Sequence, residues 1–494
     1  MEFKTFSGTE YAWDGDTGLF VPFSPIMKAV LNNILCNEHS SKEETVEMLR
    51  ENFSDDEIIF CYDWLKKWER IKHKTGVFEY VLDCSPSRIR RYVLRTGILQ
   101  LTLGITEDCN FRCNYCVFSD NYEYSRNHSK KYMNFPIAKK AIDYYFSLLE
   151  EGKKYNPLRS PSVGFYGGEP LLNFELIKKS VEYIEGEYKN WKTRYTLTTN
   201  GSLLDKEKID WLVVHDFTIA ISLDGPENEH NRLRVYSNGG GTYRDVMKNV
   251  NIIMNMGYKN VFSLPVFDWR SDLFAMEEFF SRYDVPPVMI TNLINDVNGC
   301  RYYEQFTKED YLAHLRQLEI ATSYYFAESN RNLCDERPSF FDKLVGQVPG
   351  SILFDATSIY SHNTIMPFTG ACVPGRKIFV DANGMFHACE RINSAFPLGD
   401  IYEGLNFEKI SNLIIDYINH MDKCPDCEVK RRCTQCFQKF ATDAGFSYSS
   451  KICNGIESSM KAAFIKTFSI AETNLKIIEE FTTKYKDIKK FYEG

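Results

Sequence analysis

Between Ile98 and about residue 300, short apolar runs alternate with longer stretches in which apolar residues return every third or fourth position. LQLTLGI, SVGFYG, YTLTTN, TIAISLDG and VFSLPVF read as strands, and stretches such as FELIKKSVEYIEG read as helices. This alternation predicts an α/β core, a parallel sheet with right-handed crossovers, closed as a barrel or left partial. Functional residues are then expected just beyond strand C-termini. Ahead of the core, FKTF and YAWDGDTGLFVPF predict short strands turned by Gly8 and by the Asp14 to Gly18 cluster. Helices are predicted from near Pro25, after Ser41 and after Ser54, where Asp55, Asp56 and Glu57 suit a helix start. On the third, Ile58, Tyr62, Leu65 and Trp68 form a packing stripe. Residues 301–360 are helical and aromatic in pattern. From Cys372 the texture changes to short strands, an Asn383–Gly384 hairpin signal and closely spaced cysteines, ending in a helix after Ser458.

The chain has 494 residues, enough for roughly two to four domains. A formal charge of −8 leaves no global basic footprint, which argues against a nucleic-acid partner. The basic run Arg88, Arg90, Arg91 and Arg95 reads as a solvated face. The N-terminus lacks a basic segment followed by an apolar run, and no stretch of about 18 apolar residues occurs, so no membrane segment and a cytoplasmic location are expected. Fifteen cysteines are many for such a chain, and metal ligation accounts for them better than disulfides.

GITEDCNFRCNYCVFSD places Cys109, Cys113 and Cys116 at C-x3-C-x2-C directly after a predicted strand. One loop with three thiolates can hold a cluster and leave one iron open. A structural zinc site would need a fourth ligand, and the nearest histidine, His128, stands twelve residues on in a polar stretch. With Tyr115 before the last cysteine, this spacing resembles the signature of the radical SAM superfamily. The resemblance implies a 4Fe–4S cluster whose open iron binds S-adenosylmethionine (SAM), and reductive cleavage to methionine and a 5′-deoxyadenosyl radical. It extends to Gly167, Gly168 and Glu169, which match the Gly-Gly-Glu motif at the SAM amino group. Thr199 and Asn200, then Ser222 and Asp224 in ISLDGP, resemble the next SAM-contacting strand ends, and Arg234 stands where relatives place an arginine for the SAM carboxylate.

A second cysteine set follows: Cys372, Gly384 and Cys389 as C-x11-G-x4-C, then Cys424, Cys427, Cys433 and Cys436 as C-x2-C-x5-C-x2-C, with Cys453 beyond. It resembles the SPASM domain of peptide modifiers, which houses two auxiliary 4Fe–4S clusters, although the commonest pattern ends one residue longer. By position, Cys424, Cys427, Cys433 and Cys453 would close the outer cluster, leaving Cys372, Cys389 and Cys436 for the inner one. A fourth inner ligand comes from Cys300 or Cys334, or that iron is open to a substrate thiolate; a zinc ribbon is the plain alternative.

Three strands and three helices before a radical SAM core resemble the winged-helix-like element that grips a precursor's leader by strand addition, near Phe20 to Phe23 and Tyr62 to Lys66. The full resemblance is to radical SAM/SPASM maturases of cysteine-rich ribosomal peptides, which make thioether links. It implies a leader-recognition element at 1–80, a linker at 81–97, a partial (β/α)6 barrel at 98–310, a bridge at 311–360 and a SPASM domain at 361–494. Three 4Fe–4S clusters, SAM, a precursor peptide and an electron donor such as flavodoxin or ferredoxin are implied with it. No residue is assigned as general base. The rival readings are a sulfatase-maturase-type or carbon–carbon cross-linking SPASM enzyme, and a non-catalytic iron–sulfur or zinc scaffold.

Overall fold

The computed structural model describes residues 1–15, 18–36, 40–75, 83–96, 98–294, 296–327, 339–355, 365, 373–430, 432–433 and 435–473. Cys334 and Cys372 lie outside these residues. At the N-terminus β1 (Glu2–Lys4), β2 (Glu10–Asp14) and β3 (Leu19–Pro22) form an antiparallel sheet in that order. Then come α1 (Pro25–Cys36), α2 (Lys42–Leu49) and α3 (Asp55–Thr75). Ser41 caps α2 through a reciprocal pair, its hydroxyl accepting from the Glu44 amide while the Glu44 carboxylate accepts from the Ser41 amide. Ile58, Tyr62 and Leu65 on α3 are buried with Phe23, Met27 and Val30, so the predicted stripe packs the module's own core.

Helix α4 (Pro86–Thr96) leads into the alternating region: β4 (Gln100–Thr106), α5 (Phe135–Gly152), β5 (Ser162–Gly167), α6 (Phe174–Glu187), β6 (Arg194–Thr199), α7 (Lys206–Val214) and β7 (Thr218–Ile221). It continues through α8 (Glu227–Leu233), α9 (Tyr243–Asn255) and β8 (Val261–Ser263). Strands β4 to β8 are parallel neighbours in chain order. The predicted single strand VFSLPVF divides. Pro265 has no N–H to give a ladder, so β9 (Val266–Phe267) leaves the main sheet and, after α10 (Leu273–Phe280), pairs with β10 (Asn292–Leu293).

Beyond α11 (Lys308–Ala327) and α12 (Gln347–Asp355), β11 (Lys377–Val380) runs parallel to β4 on its other side. The antiparallel strands β12 (Met385–His387), β13 (Gly399–Asp400) and β14 (Gly404–Leu405) extend that edge. The result is an α/β fold with an open, mixed and mostly parallel sheet, ordered β14-β13-β12-β11-β4-β5-β6-β7-β8. The predicted hairpin at Asn383–Gly384 joins β11 to β12, with Gly384 at φ +87°. Helices α13 (Phe407–His420) and α14 (Ser450–Thr473) complete the described chain. The last helix starts well before Ser458, because Ser449 opens its first turn, and Gly455, a weak helix former, is carried inside it.

The N-terminal sheet lies against α14. Phe3, Trp13 and Phe464 are buried together, and the Phe20 ring meets Trp13, Phe464 and Phe468. Phe20 is thereby committed to packing rather than to an open groove. No helix among the described residues is long and apolar enough to cross a membrane.

Candidate active site

The cysteine loop leaves the sheet where β4 and β5 slip register at Gly104 to Thr106. Gly167, at φ +146°, and Gly168 let the end of β5 close on this loop: a Cβ on Gly167 would strike the Thr106 carbonyl oxygen, and one on Gly168 that of Asp108. Those carbonyls accept the Gly168 and Glu169 amides, both at 2.8 Å. Thr106 Oγ1 accepts the Asp108 amide at 3.0 Å, and the Asp108 carboxylate takes Lys130 Nζ and Tyr132 Oη, both at 2.8 Å. The first cysteine is thus anchored on both sides.

Cys109, Cys113 and Cys116 line one cavity of about 220 Å³ with Gly167, Gly168, Thr199, Asn200, Ser222 and Arg234. The structure therefore gathers at the strand ends most of the residues named from sequence. Asn200 reaches back to the loop through Asn110, Nδ2 to Oδ1 at 2.8 Å. The Arg234 guanidinium lies over the Tyr115 ring, 5.3 Å from its centre.

Glu169 and Asp224 are buried beside this cavity and do not line it. The Glu169 carboxylate accepts from Thr199 Oγ1 and the Asn200 amide, both at 2.7 Å, and from the Leu171 amide at 3.0 Å. It ties the β5 and β6 ends together instead of facing a ligand, and burial pushes its pKa up to about 7 against those three bonds. Asp224 holds Arg234 in a two-point pair, Nε to Oδ2 at 2.7 Å and Nη2 to Oδ1 at 2.9 Å. Asp224 also accepts the Val266 amide at 3.0 Å. Both carboxylates fix groups that do line the cavity.

His128, set aside as too distant in sequence, is brought to the loop. Residues 126–133 return along the end of β4: the Glu107 amide donates to the Lys131 carbonyl, and Thr106 bridges Tyr132. This puts His128 Nε2 3.7 Å from Cys116 Sγ, on the cavity wall. Tyr122, Tyr166 and Arg391 also line the cavity and were missed. The signal for such residues is long-range pairing, which local periodicity does not carry.

The donor set suits a cluster better than a single ion. Burial pushes the Cys109 and Cys113 thiols up to about 12 and Cys116 up to about 11, so only a cation in the cavity would make them thiolates. Among the described residues no three Cys, His, Asp or Glu side chains converge on one point as ligands of one ion would. A four-iron cluster asks for thiols spread around a void, one to each iron. In the second set, Cys424 is raised by burial and then by the charges of Cys433, Cys453 and Cys427, which places these four together. Tyr417 adjoins Cys424, Cys433, Cys436 and Cys453. Cys389 is raised by burial and then by the charge of Glu390, with Lys377 nearby acting against it.

Residues 103–268 match the sequence profile of the Radical SAM superfamily. The chain is 34% identical over 183 residues to an uncharacterized protein of Methanocaldococcus jannaschii, a match covering 37% of this chain and 57% of that one. It is 25% identical over 232 residues to the radical SAM cyclopropyl synthase TigE of Paramaledivibacter caminithermalis, covering 45% of this chain and 46% of the relative. The chain thus spans about half the length of these two curated relatives. A solved structure described as native anSMEcpe with bound AdoMet and Cp18Cys peptide is similar in fold, with a TM-score of 0.54, 20% identity, and coverage of 78% of this chain and 99% of that one. Profile, cysteine loop and parallel strand ends agree: residues 103–268 are a radical SAM domain, for which SAM and a 4Fe–4S cluster are the implied cofactors.

Proposed function

We propose that this protein is a radical SAM peptide maturase that joins a cysteine sulfur to a carbon of another residue in a ribosomally made precursor. The observation that carries the reading is the meeting, at one cavity, of the C-x3-C-x2-C loop with a segment from the cysteine-rich C-terminal region: Arg391 lines the cavity two residues after Cys389. A radical formed in the cavity would arise beside that second cysteine set. The peptide bound to the similar anSMEcpe structure and the thiol-rich C-terminus support a peptide substrate.

In this reading Cys109, Cys113 and Cys116 hold the SAM-binding cluster, while Gly167, Gly168, Thr199, Asn200, Ser222 and Arg234 shape the SAM pocket, braced by Glu169 and Asp224. Residues 361–494 are a SPASM domain, with Cys424, Cys427, Cys433 and Cys453 on an outer cluster and Cys372, Cys389 and Cys436 on an inner one. Residues 1–80 are the leader-recognition element. The edge of β3 has no partner strand among the described residues, and Phe23 beside it packs on α3, so a leader strand has a ladder to join. When bound, the cofactors supply a carbon-centred radical and take back one electron per link, so each thioether consumes one SAM and removes two hydrogens from the peptide. The chain's residues orient SAM, exclude water from the cavity and hold the peptide.

The test is anaerobic reconstitution followed by assay for 5′-deoxyadenosine and for a precursor mass reduced by two hydrogens. About twelve irons per chain are expected for three four-iron clusters. Changing Cys109, Cys113 and Cys116 together to Ala should remove about a third of the iron and all SAM cleavage. Stoichiometric zinc with little iron would overturn the reading.

A further inference from the structure

We infer that Arg391 is a docking point for a carboxylate of the peptide substrate, so that the residue modified lies close to an acidic group. The inference rests on the peptide-maturase reading above and adds a substrate class to it.

Among the described residues that line the cavity there is no Asp or Glu, so an anion entering it meets no carboxylate on the wall. Two guanidiniums line it, and they differ. Arg234 is buried at 6% exposure, held along one edge by both Asp224 oxygens and set over the Tyr115 ring beside the cysteine loop. Arg391 is exposed, and its side chain makes no hydrogen bond or ion pair among the described residues. Its neighbour in sequence, Glu390, is hydrogen-bonded by Lys377 Nζ at 2.7 Å and feels the charge of Arg391 without an ion pair to it.

Apolar side chains line the same cavity, among them Val117, Phe118 and Leu293, together with the polar Asn292 and His128. Leu293 is 42% exposed, a large apolar side chain at a cavity mouth. A cavity of apolar and neutral polar side chains with one exposed planar cation matches a peptide segment that brings in one carboxylate. The forked guanidinium can grip both carboxylate oxygens at once. Arg391 also follows Cys389 by two residues on the chain leaving β12. A carboxylate seated on it would therefore fix its neighbouring atoms between the cysteine loop and the second cysteine set. The SAM carboxylate is the competing anion, and the deep, preorganised Arg234 is the nearer match for it.

The experiment uses reconstituted holoenzyme and fluorescein-labelled peptides of serine and glycine, capped at both ends, each with one cysteine and one Asp, Asn or Lys. Affinity is read by fluorescence anisotropy, and SAM affinity and 5′-deoxyadenosine release are measured in parallel. The Asp peptide should bind about tenfold tighter than the Asn peptide, equivalent to about 1.4 kcal/mol. Arg391→Glu should reverse the order and favour the Lys peptide, a gain that a misfolded variant cannot give. Arg391→Lys should keep a weaker preference for Asp, having the charge without the fork. An Asn peptide with a free C-terminus separates a terminal carboxylate from a side-chain one: equal binding to the Asp peptide assigns Arg391 to the terminus. Equal binding of capped Asp and Asn peptides and of the uncapped one, by an enzyme that cleaves SAM, overturns the inference and leaves the maturase reading standing. A loss of SAM affinity in Arg391→Glu as large as the loss of Asp-peptide affinity assigns the arginine to SAM and also overturns it. Absence of both SAM cleavage and peptide binding removes the maturase reading together with the inference.

Discussion

At the scale of single residues, the site is held by buried charge whose cost is measurable. Glu169 is ionised in the unfolded chain above its ordinary value of 4.5, but the folded protein raises it to about 7. The folded state therefore binds the extra proton between these limits, and stability falls as pH rises from about 4.5 to about 7, then levels off. The full change from this one group is roughly 3 kcal/mol. Urea unfolding of the apo-protein at several pH values should give a slope in that window that Glu169→Gln lacks, when the two are compared at each pH. The variant should also be less stable at low pH, since one amide N–H₂ now opposes a donor among Thr199, Asn200 and Leu171. Equal slopes would mean that Glu169 is not desolvated as described. The residues Gly167, Gly168, Thr199, Asn200 and Ser222 were legible in the sequence because each stands at or just after the end of a strand whose pattern is plain. That Glu169 and Asp224 turn inward was not legible, since a carboxylate at a strand end reads the same whether it faces a ligand or its own backbone.

At the scale of elements, the N-terminal sheet is fastened to the loop that carries the second cysteine set. Trp13 of β2 is 2% exposed, and its Nε1 donates to the Glu428 carbonyl at 3.0 Å. Arg432 lies over its ring at 4.8 Å. Glu428 follows Cys427 and Arg432 precedes Cys433, so this one indole holds both sides of the segment between them. Trp13→Ala should cost about 3–5 kcal/mol, as other large-to-small core changes do, and loosen that segment. The expected result is loss of about a third of the reconstituted iron, read by iron assay, while the cysteine-loop cluster keeps its SAM-dependent spectroscopic change. Full iron content in a destabilised variant would show that the docking supports the sheet alone. Of the elements themselves, β4 to β7 were readable because their apolar runs are bounded by helical periodicity. The division of VFSLPVF was signalled by Pro265 and missed, and the place of β11 beside β4 was beyond local pattern, because pairing across the length of the core leaves no periodicity in either strand.

At the scale of the whole molecule, the chain closes on itself so that parts far apart in sequence frame one cavity. Strand β11 enters the sheet beside the strand that launches the cysteine loop. The Asn298 amide donates to the Lys439 carbonyl at 3.0 Å, and Asn298 Nδ2 to the Phe440 and Ser447 carbonyls at 3.1 and 2.9 Å, which joins the segment before Cys300 to the cysteine-rich region. The sequence offered Cys300 as a fourth ligand for the proposed inner cluster because no cysteine stands shortly upstream of Cys372, yet its surroundings argue otherwise. Cys300 packs with Tyr115, Tyr302 and Tyr303, is hydrogen-bonded to Tyr122, and feels the charge of Asp296; no cysteine is among the groups that bear on it most. Its sulfur is already engaged by Tyr122 within this aromatic pocket, and ligating iron would cost it that contact. Replacing Cys300 and Cys334 together by Ala should therefore leave the iron content at about twelve per chain. It should also leave thioether formation intact, whereas Ala at the substrate cysteine should preserve SAM cleavage and abolish the link. Because Cys300→Ala disturbs the contact with Tyr122, Cys300→Ser serves as the conservative control. Loss of about four irons in both the Ala and the Ser variants would place Cys300 on the inner cluster and remove the open iron from the mechanism. The substrate thiolate would then react from outside the cluster, with the electron leaving across the gap rather than through a bond.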